Sequence, residues 1–152
     1  MEENKKVLTS KESDEYTRKL KEKFNTEDVR YLGRNRFGIH EYFDLTMDGT
    51  TLDKTKMVDE EGNIILLSDV YNSIFNFSGR VAVVCKGSKF TQDRKDGLID
   101  ENGNELLPCI YDSVSVHLDG HVDITKDGQK KFTTVPMITS GNFDWDEAIP
   151  SD

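Results

Sequence analysis

The amino-acid sequence predicts a mainly β (α+β) fold, an antiparallel twisted meander or partly closed barrel with one N-terminal helix, on three observations. The first is an internal repeat: Val58 to Ile74, VDEEGNIILLSDVYNSI, recurs as Ile99 to Val114, IDENGNELLPCIYDSV. Asp59, Glu60, Gly62, Asn63, Leu66, Tyr71 and Ser73 thereby fall on Asp100, Glu101, Gly103, Asn104, Leu107, Tyr111 and Ser113. The second is that each copy reads as strand, glycine-bearing turn, strand, break and strand. The third is a single stretch, Ser10 to Phe24, with helical spacing of its apolar residues. A chain of 152 residues suits one domain, which at this size buries roughly 70% of its unfolded surface and sustains a core without staples.

Thr9 followed by Glu12 makes a capping box, and Tyr16, Leu20 and Phe24 form a narrow apolar stripe on an otherwise charged segment. A helix over 10–24 is expected to lie on the surface with that stripe docked over a sheet edge or an open end. Residues 29–56 read as β hairpins. Val29 to Leu32, Arg36 to Ile39 and Tyr42 to Met47 are aromatic or β-branched runs, and Asp48-Gly49 is a turn signal. The turn Gly33-Arg34-Asn35-Arg36 is basic and is expected to be an exposed loop. Residues 57–135 hold two repeat units at an offset of 41, which falls to 40 from Val70 to Ile74 and returns to 41 from Phe75. On that register Val81, Val83 and Cys85 are the core face of a strand, matched by Val122, Ile124 and Lys126. Residues 136–152 form an acidic-aromatic tail in which the repeat vanishes.

In the second unit Lys95-Asp96-Gly97-Leu98-Ile99-Asp100, Asn102-Gly103, Leu106-Leu107-Pro108 and Tyr111-Asp112 follow one another in a fixed order. That order resembles the WG-repeat proteins: aromatic-Gly, apolar pair, acidic turn with Gly, apolar pair, Pro, Tyr-Asp, then a Gly-bounded hairpin. The resemblance covers about residues 54–135. Asp96 stands where the family has Trp, Thr55-Lys56 replaces the aromatic-Gly pair in the first unit, and Leu67 replaces the Pro; the chain's one aromatic-Gly pair is Phe37-Gly38. The family resemblance implies a β-rich, non-catalytic protein and supplies no functional residues. A 41-residue β unit is also of propeller-blade length, but fewer than four fit in this chain, so a closed propeller is excluded for the monomer.

The formal charge of −9 is unevenly placed: residues 1–56 carry 12 acids and 12 bases, residues 57–152 carry 17 acids and 8 bases. Such a surface repels phosphate backbones and attracts basic proteins, so no direct nucleic-acid binding is expected. No signal peptide and no run near the ~20 apolar residues of a membrane span is present, which predicts a cytoplasmic protein away from membranes. Cys85 and Cys109 lack a CxxC or a partnering Cys/His set and are expected to be free thiols.

Chemistry finds little support. His117, Asp119, His121 and Asp123 would share a strand face, but the first copy has Asn76, Ser78, Arg80 and Ala82 there, and Asp119-Gly120 is a turn that scatters the side chains. Asp100-Glu101-Asn102-Gly103-Asn104 lacks the glycine of a calcium loop at its sixth position, which is Glu105. No phosphate loop, no nucleophile motif and no Cys/His pair with an orienting group occurs, and His40 stands beside Glu41 alone. The expectation is therefore no enzyme, no metal and no cofactor. The loop Lys86 to Gly97 carries Lys86, Lys89, Arg94 and Lys95 around Phe90, a basic patch that could grip single-stranded nucleic acid, though Lys130-Lys131-Phe132 in the copy marks the Phe as a strand residue.

The tail GNFDWDEAIPSD holds the chain's only Trp and four acids. Phe143 and Trp145 read as anchors, and Asp144, Asp146 and Glu147 as a charged rim, docked either on the domain itself or on a basic partner. Three function classes follow. The favoured one is a non-catalytic β-repeat protein-binding module whose partner is another protein with a basic surface. The alternative is a small acidic inhibitor, of the kind carried by phages and mobile elements, that mimics nucleic acid at a basic cleft of a host protein. An enzyme is the third.

Overall fold

The computed structural model describes residues 8–45, 51–87 and 94–150. Helix α1 (Ser10–Phe24) begins at the expected capping box: the Thr9 hydroxyl accepts from the Glu12 amide at 3.1 Å, and the Glu12 carboxylate accepts from the Thr9 amide at 3.2 Å. It ends at Asn25, whose left-handed φ of 52° turns the chain out of the helix. Leu20 is buried, and with Tyr16 and Phe24 it packs on Val29, Phe37, Ile39 and Val58.

Twelve strands among the described residues form three four-stranded antiparallel meanders. Sheet 1 runs β1 (Val29–Gly33), β2 (Arg36–Leu45), β3 (Thr51–Asp59), β4 (Ile64–Tyr71). Sheet 2 runs β5 (Ser73–Ser78), β6 (Val81–Lys86), β7 (Lys95–Asp100), β8 (Glu105–Tyr111), and sheet 3 runs β9 (Ser113–Val116), β10 (His121–Lys126), β11 (Gln129–Thr134), β12 (Ile149–Pro150). The meander is thus cut into separate sheets rather than curled into a barrel. The runs expected from Arg36 and from Tyr42 are one strand, because His40 and Glu41 pair onward with Thr55 and Lys54 of β3. The Asp48-Gly49 turn lies outside the described residues.

The sheets stack in chain order behind α1. Leu32, Met57 and Tyr71 of sheet 1 share a core with Ile74, Ala82, Val84 and Ile99 of sheet 2. Val81, Leu98, Leu107 and Tyr111 on the other face of sheet 2 share a second core with Val114, Val122 and Ile124 of sheet 3. Sheet 2 is therefore covered on both faces, which corrects the alternation expected in β6: Val81, Ala82, Val84 and Cys85 are buried, while Val83 is only partly so. The outer face of the stack is closed at one end by α1; at the other it carries polar residues such as Ser115, Thr125 and Asp123.

The sequence repeat and the sheets are out of phase by two strands. The first unit supplies the end of β3, then β4, and β5–β6; the second supplies β7–β8 and β9–β10. Each unit thus gives the last two strands of one sheet and the first two of the next, so a unit cannot bury its apolar residues alone. Both turns repeat in detail. The Asp59 carboxylate accepts from the Glu61 and Asn63 amides at 2.9 Å, and Asp100 accepts from Asn102 and Asn104 at 2.9 Å. Gly62 and Gly103 take φ of 87° and 82°, where a Cβ would be strained. The register past Phe75 differs from the expected return to 41. Ile74 pairs with Val84 and Val114 with Ile124, an offset of 40; the extra residue that β5 holds in a bulge between Ile74 and Phe77 is balanced by a β9–β10 turn one residue longer than the β5–β6 turn.

Candidate functional site

After β11 the chain makes a short helix, α2 (Val135–Thr139), capped by the Thr134 hydroxyl on the Met137 amide. Ile138 is buried in the core between sheets 2 and 3, and Gly141, at φ 80°, turns the backbone toward β8. Phe143 and Trp145 then pack against that same core. The Trp145 ring lies 5.8 Å from the Tyr111 ring, the Lys131 ammonium sits 4.6 Å from the Trp145 ring centre, and the same ammonium donates to the Trp145 carbonyl at 2.9 Å. Asp144 caps a single 3-10 turn, Trp145–Glu147, by accepting from the Asp146 amide at 3.0 Å. Ile149-Pro150 closes the segment by pairing with Phe132 and Lys131. All five tail residues singled out in the sequence thus lie together on one short surface: both rings are half-buried on the domain, while Asp144, Asp146 and Glu147 are exposed. Burial, and then the nearby Asp144 carboxylate, push the Tyr111 phenol pKa up.

Trp145 sits over Tyr111, across from β8, so the expected consequence of Trp145→Ala is a loss of about 2 kcal/mol of stability from aromatic burial and the ring pair. Chemical denaturation measures it; an unchanged midpoint would mean that the tail adds nothing to the fold.

The remaining candidates are placed as follows. His117 pairs with Asp123 at 2.7 Å and His121 with Asp119 at 3.1 Å, as two exposed pairs. Among the described residues no group of three or more His, Cys, Asp or Glu side chains is placed to hold a metal ion. The turn from Gly33 to Arg36 is not the exposed loop expected from its charge. Asn35 and Arg36 are buried, Arg34 Nε bonds the Glu101 carboxylate at 2.9 Å, and Arg36 Nε bonds the Glu101 carbonyl at 2.6 Å. Of the basic loop, residues 88–93, with Lys89 and Phe90, lie outside the described residues. Its flanks are engaged: Lys86 lies over the Tyr71 ring, Arg94 bonds Asp96 at 3.0 Å, and Lys95 pairs with Asp112.

At the position of the missing tryptophan the two units use the same device. Thr55 and Asp96 are both 4% exposed, and each ties its strand to the start of the next sheet. Thr55 Oγ1 donates to the Asn72 carbonyl at 3.1 Å, and Asp96 Oδ2 accepts from the Val114 amide at 3.3 Å. Sequence alone showed the substitution but not this use, because the partner lies 17 or 18 residues away.

Cys85 is buried and Cys109 half-buried, and both are free thiols. Burial, joined by the Glu105 carboxylate, pushes the Cys109 thiol up to about 12, and burial also raises Cys85. Only the thiolate attacks, so neither cysteine should react appreciably with iodoacetamide in the native protein at pH 8, whereas both should react in denaturant. Rapid native labelling of either would contradict the packing around β6 and β8.

A recess of about 300 Å³ opens between the edge strands β1 and β5, with Arg30, His40 and Asp28 beside Ile74 and Phe75. Arg30 donates across it to the Ile74 carbonyl at 3.1 Å, which joins sheets 1 and 2. No helix of the described residues is long and apolar enough to cross a membrane.

A family model described as "WG containing repeat" matches residues 57–90 and 97–117. These run from the end of β3 past β6, and from β7 to just beyond β9. No curated protein and no solved structure matched the chain.

Proposed function

We propose, on the premise that residues 57–90 and 97–117 are WG repeats and that the chain is a β-repeat protein, that it works as a non-catalytic module binding another protein with a basic surface. One observation carries the proposal: Phe143 and Trp145 are held on the domain, while the carboxylates of Asp144, Asp146 and Glu147 between and after them are exposed. Anchoring the rings fixes the carboxylates in one arrangement, so a partner does not bear the entropy of ordering them. The excess of acids beyond Met57 supplies the long-range attraction. The site of action is cytoplasmic in this proposal, in keeping with two free thiols.

Deleting residues 141–152 tests it by two readings on the same protein, the unfolding midpoint and the proteins recovered from native cytoplasm. The expected result is loss of a specific recovered protein together with a lowered midpoint. Recovery unchanged at a lowered midpoint would make the tail purely structural. Steep loss of the partner between low and high salt would favour the inhibitor that mimics nucleic acid, since a contact that also buries apolar surface depends less on screening.

A further inference from the structure

We infer that the groove between β8 and the tail takes a basic segment bearing apolar side chains, supplied by the partner; this rests on the protein-binding proposal and gives it a place and a chemistry. On sheet 1 the outer strand is covered by its neighbour. The turn at Gly103 lies so close that an added Cβ would stand 3.1 Å from Leu66 and 3.2 Å from Ile65, and Tyr71 donates to Glu105 at 3.1 Å. On sheet 2 the tail stands against the outer strand, β8.

The tail leaves an open groove of about 600 Å³ lined by Leu106, Pro108, Tyr111, Phe143, Asp144 and Trp145. That volume is within the range of small-ligand and side-chain pockets, roughly 300–1,000 Å³. Most of its lining side chains are apolar or aromatic, although polar atoms make up more of the surface that it exposes. Its lining includes the Asp144 carboxylate and no Lys or Arg among the described residues. Asp146 and Glu147 follow on the exposed turn, and Lys131, which lies beside the tail, is committed to the Trp145 ring and carbonyl. Apolar lining side chains beside a carboxylate rim suit a segment in which leucines alternate with lysines or arginines, and oppose an acidic one.

Pro108 is exposed at a bulge in β8, where residues 108–110 stand opposite Gly97 alone. Its counterpart in the first unit is Leu67, 59% exposed at the matching bulge of β4, where no tail is present. This gives a matched pair of surface sites carrying the same new charge.

The test is fluorescence anisotropy of the full chain with a labelled peptide alternating Leu with Lys and Arg, against a control in which Glu replaces each base. Saturable binding of the basic peptide alone is expected. Pro108→Lys should weaken it roughly tenfold and Leu67→Lys should leave it unchanged. The triple change Asp144→Asn, Asp146→Asn, Glu147→Gln keeps the turn's cap and all packing, so it reads the rim even if Pro108→Lys disturbs β8; a roughly tenfold loss is expected there too. No binding, equal loss at Leu67→Lys, or no loss in the triple variant overturns the inference. A partner whose recovery needs residues 141–152 while the peptide fails to bind removes the groove and leaves the wider proposal. A peptide bound in the groove while recovery survives the deletion does the reverse.

Discussion

Gly97→Ala should cost about 3 kcal/mol or more of folding stability, while Gly38→Ala should stay within about 1 kcal/mol of the parent. Both glycines lie inside strands and neither needs a positive φ, so the difference is steric. A Cβ on Gly97 would stand 2.5 Å from the Leu107 carbonyl oxygen and 3.0 Å from the Cys109 amide nitrogen, backbone atoms of β8 that cannot move without breaking the sheet. A Cβ on Gly38 would meet the Leu32 methyls at 3.3 and 3.4 Å and the Thr55 methyl at 3.5 Å, the ends of side chains that can give a few tenths of an ångström. There the reduced freedom of the unfolded chain offsets part of the strain. Urea denaturation at pH 7 gives both values, and equal costs would contradict the close approach of β8 to β7.

The same geometry explains why the first unit tolerates Lys56 at the position of Gly97. Opposite Lys56, β4 bulges by the four residues 67–70 between its pairs with Thr55 and Met57; opposite Gly97, β8 bulges by only the three residues 108–110. The longer bulge stands off far enough for a side chain. The residue missing from the second copy is therefore the one that makes its glycine obligatory.

What the sequence made legible was local. The α1 boundaries, the two Asp-Gly-Asn turns and the equivalence of Tyr71 with Tyr111 all rest on spacing within about a dozen residues, where periodicity and turn chemistry decide the backbone. The breaks at Asn72 and Asp112 were visible too, but not that each break starts a new sheet. That depends on whether the next strand pairs back or forward, and the answer is in hydrogen bonds such as Asn72 N–H to the Cys85 carbonyl at 2.9 Å. Burial on both faces of sheet 2 erased the alternation that would have fixed the β6 register. In the tail, aromatics among acids fitted self-docking and partner binding alike, and only the meeting of Trp145 with Tyr111, 34 residues earlier, places the rings on the domain.

Glu101→Ala should lower stability by about 3 kcal/mol, while Glu60→Ala, the same position in the first unit, should change it by less than about 1 kcal/mol. The Glu101 side chain is 8% exposed; it accepts from Arg34 Nε at 2.9 Å, faces Arg80 Nη1 at 3.8 Å, and its carbonyl holds Arg36 Nε at 2.6 Å. The alanine keeps the carbonyl that holds Arg36 but removes the carboxylate from Arg34, which is only 26% exposed, so that guanidinium loses its partner without regaining full hydration. Glu60, by contrast, has an oxygen buried without a hydrogen-bond partner among the described residues, so its loss removes a cost along with any gain. Glu101→Gln keeps the shape and one acceptor and should fall between, at about 1–2 kcal/mol. Because this cluster joins sheets 1 and 2 while the tail and its groove lie against sheets 2 and 3, peptide affinity should not change in Glu101→Ala at a temperature where the variant is folded. Weakened affinity there would mean that the two inter-sheet cores do not act independently, and equal stability losses at Glu60 and Glu101 would mean that the arginine turn contributes nothing of its own.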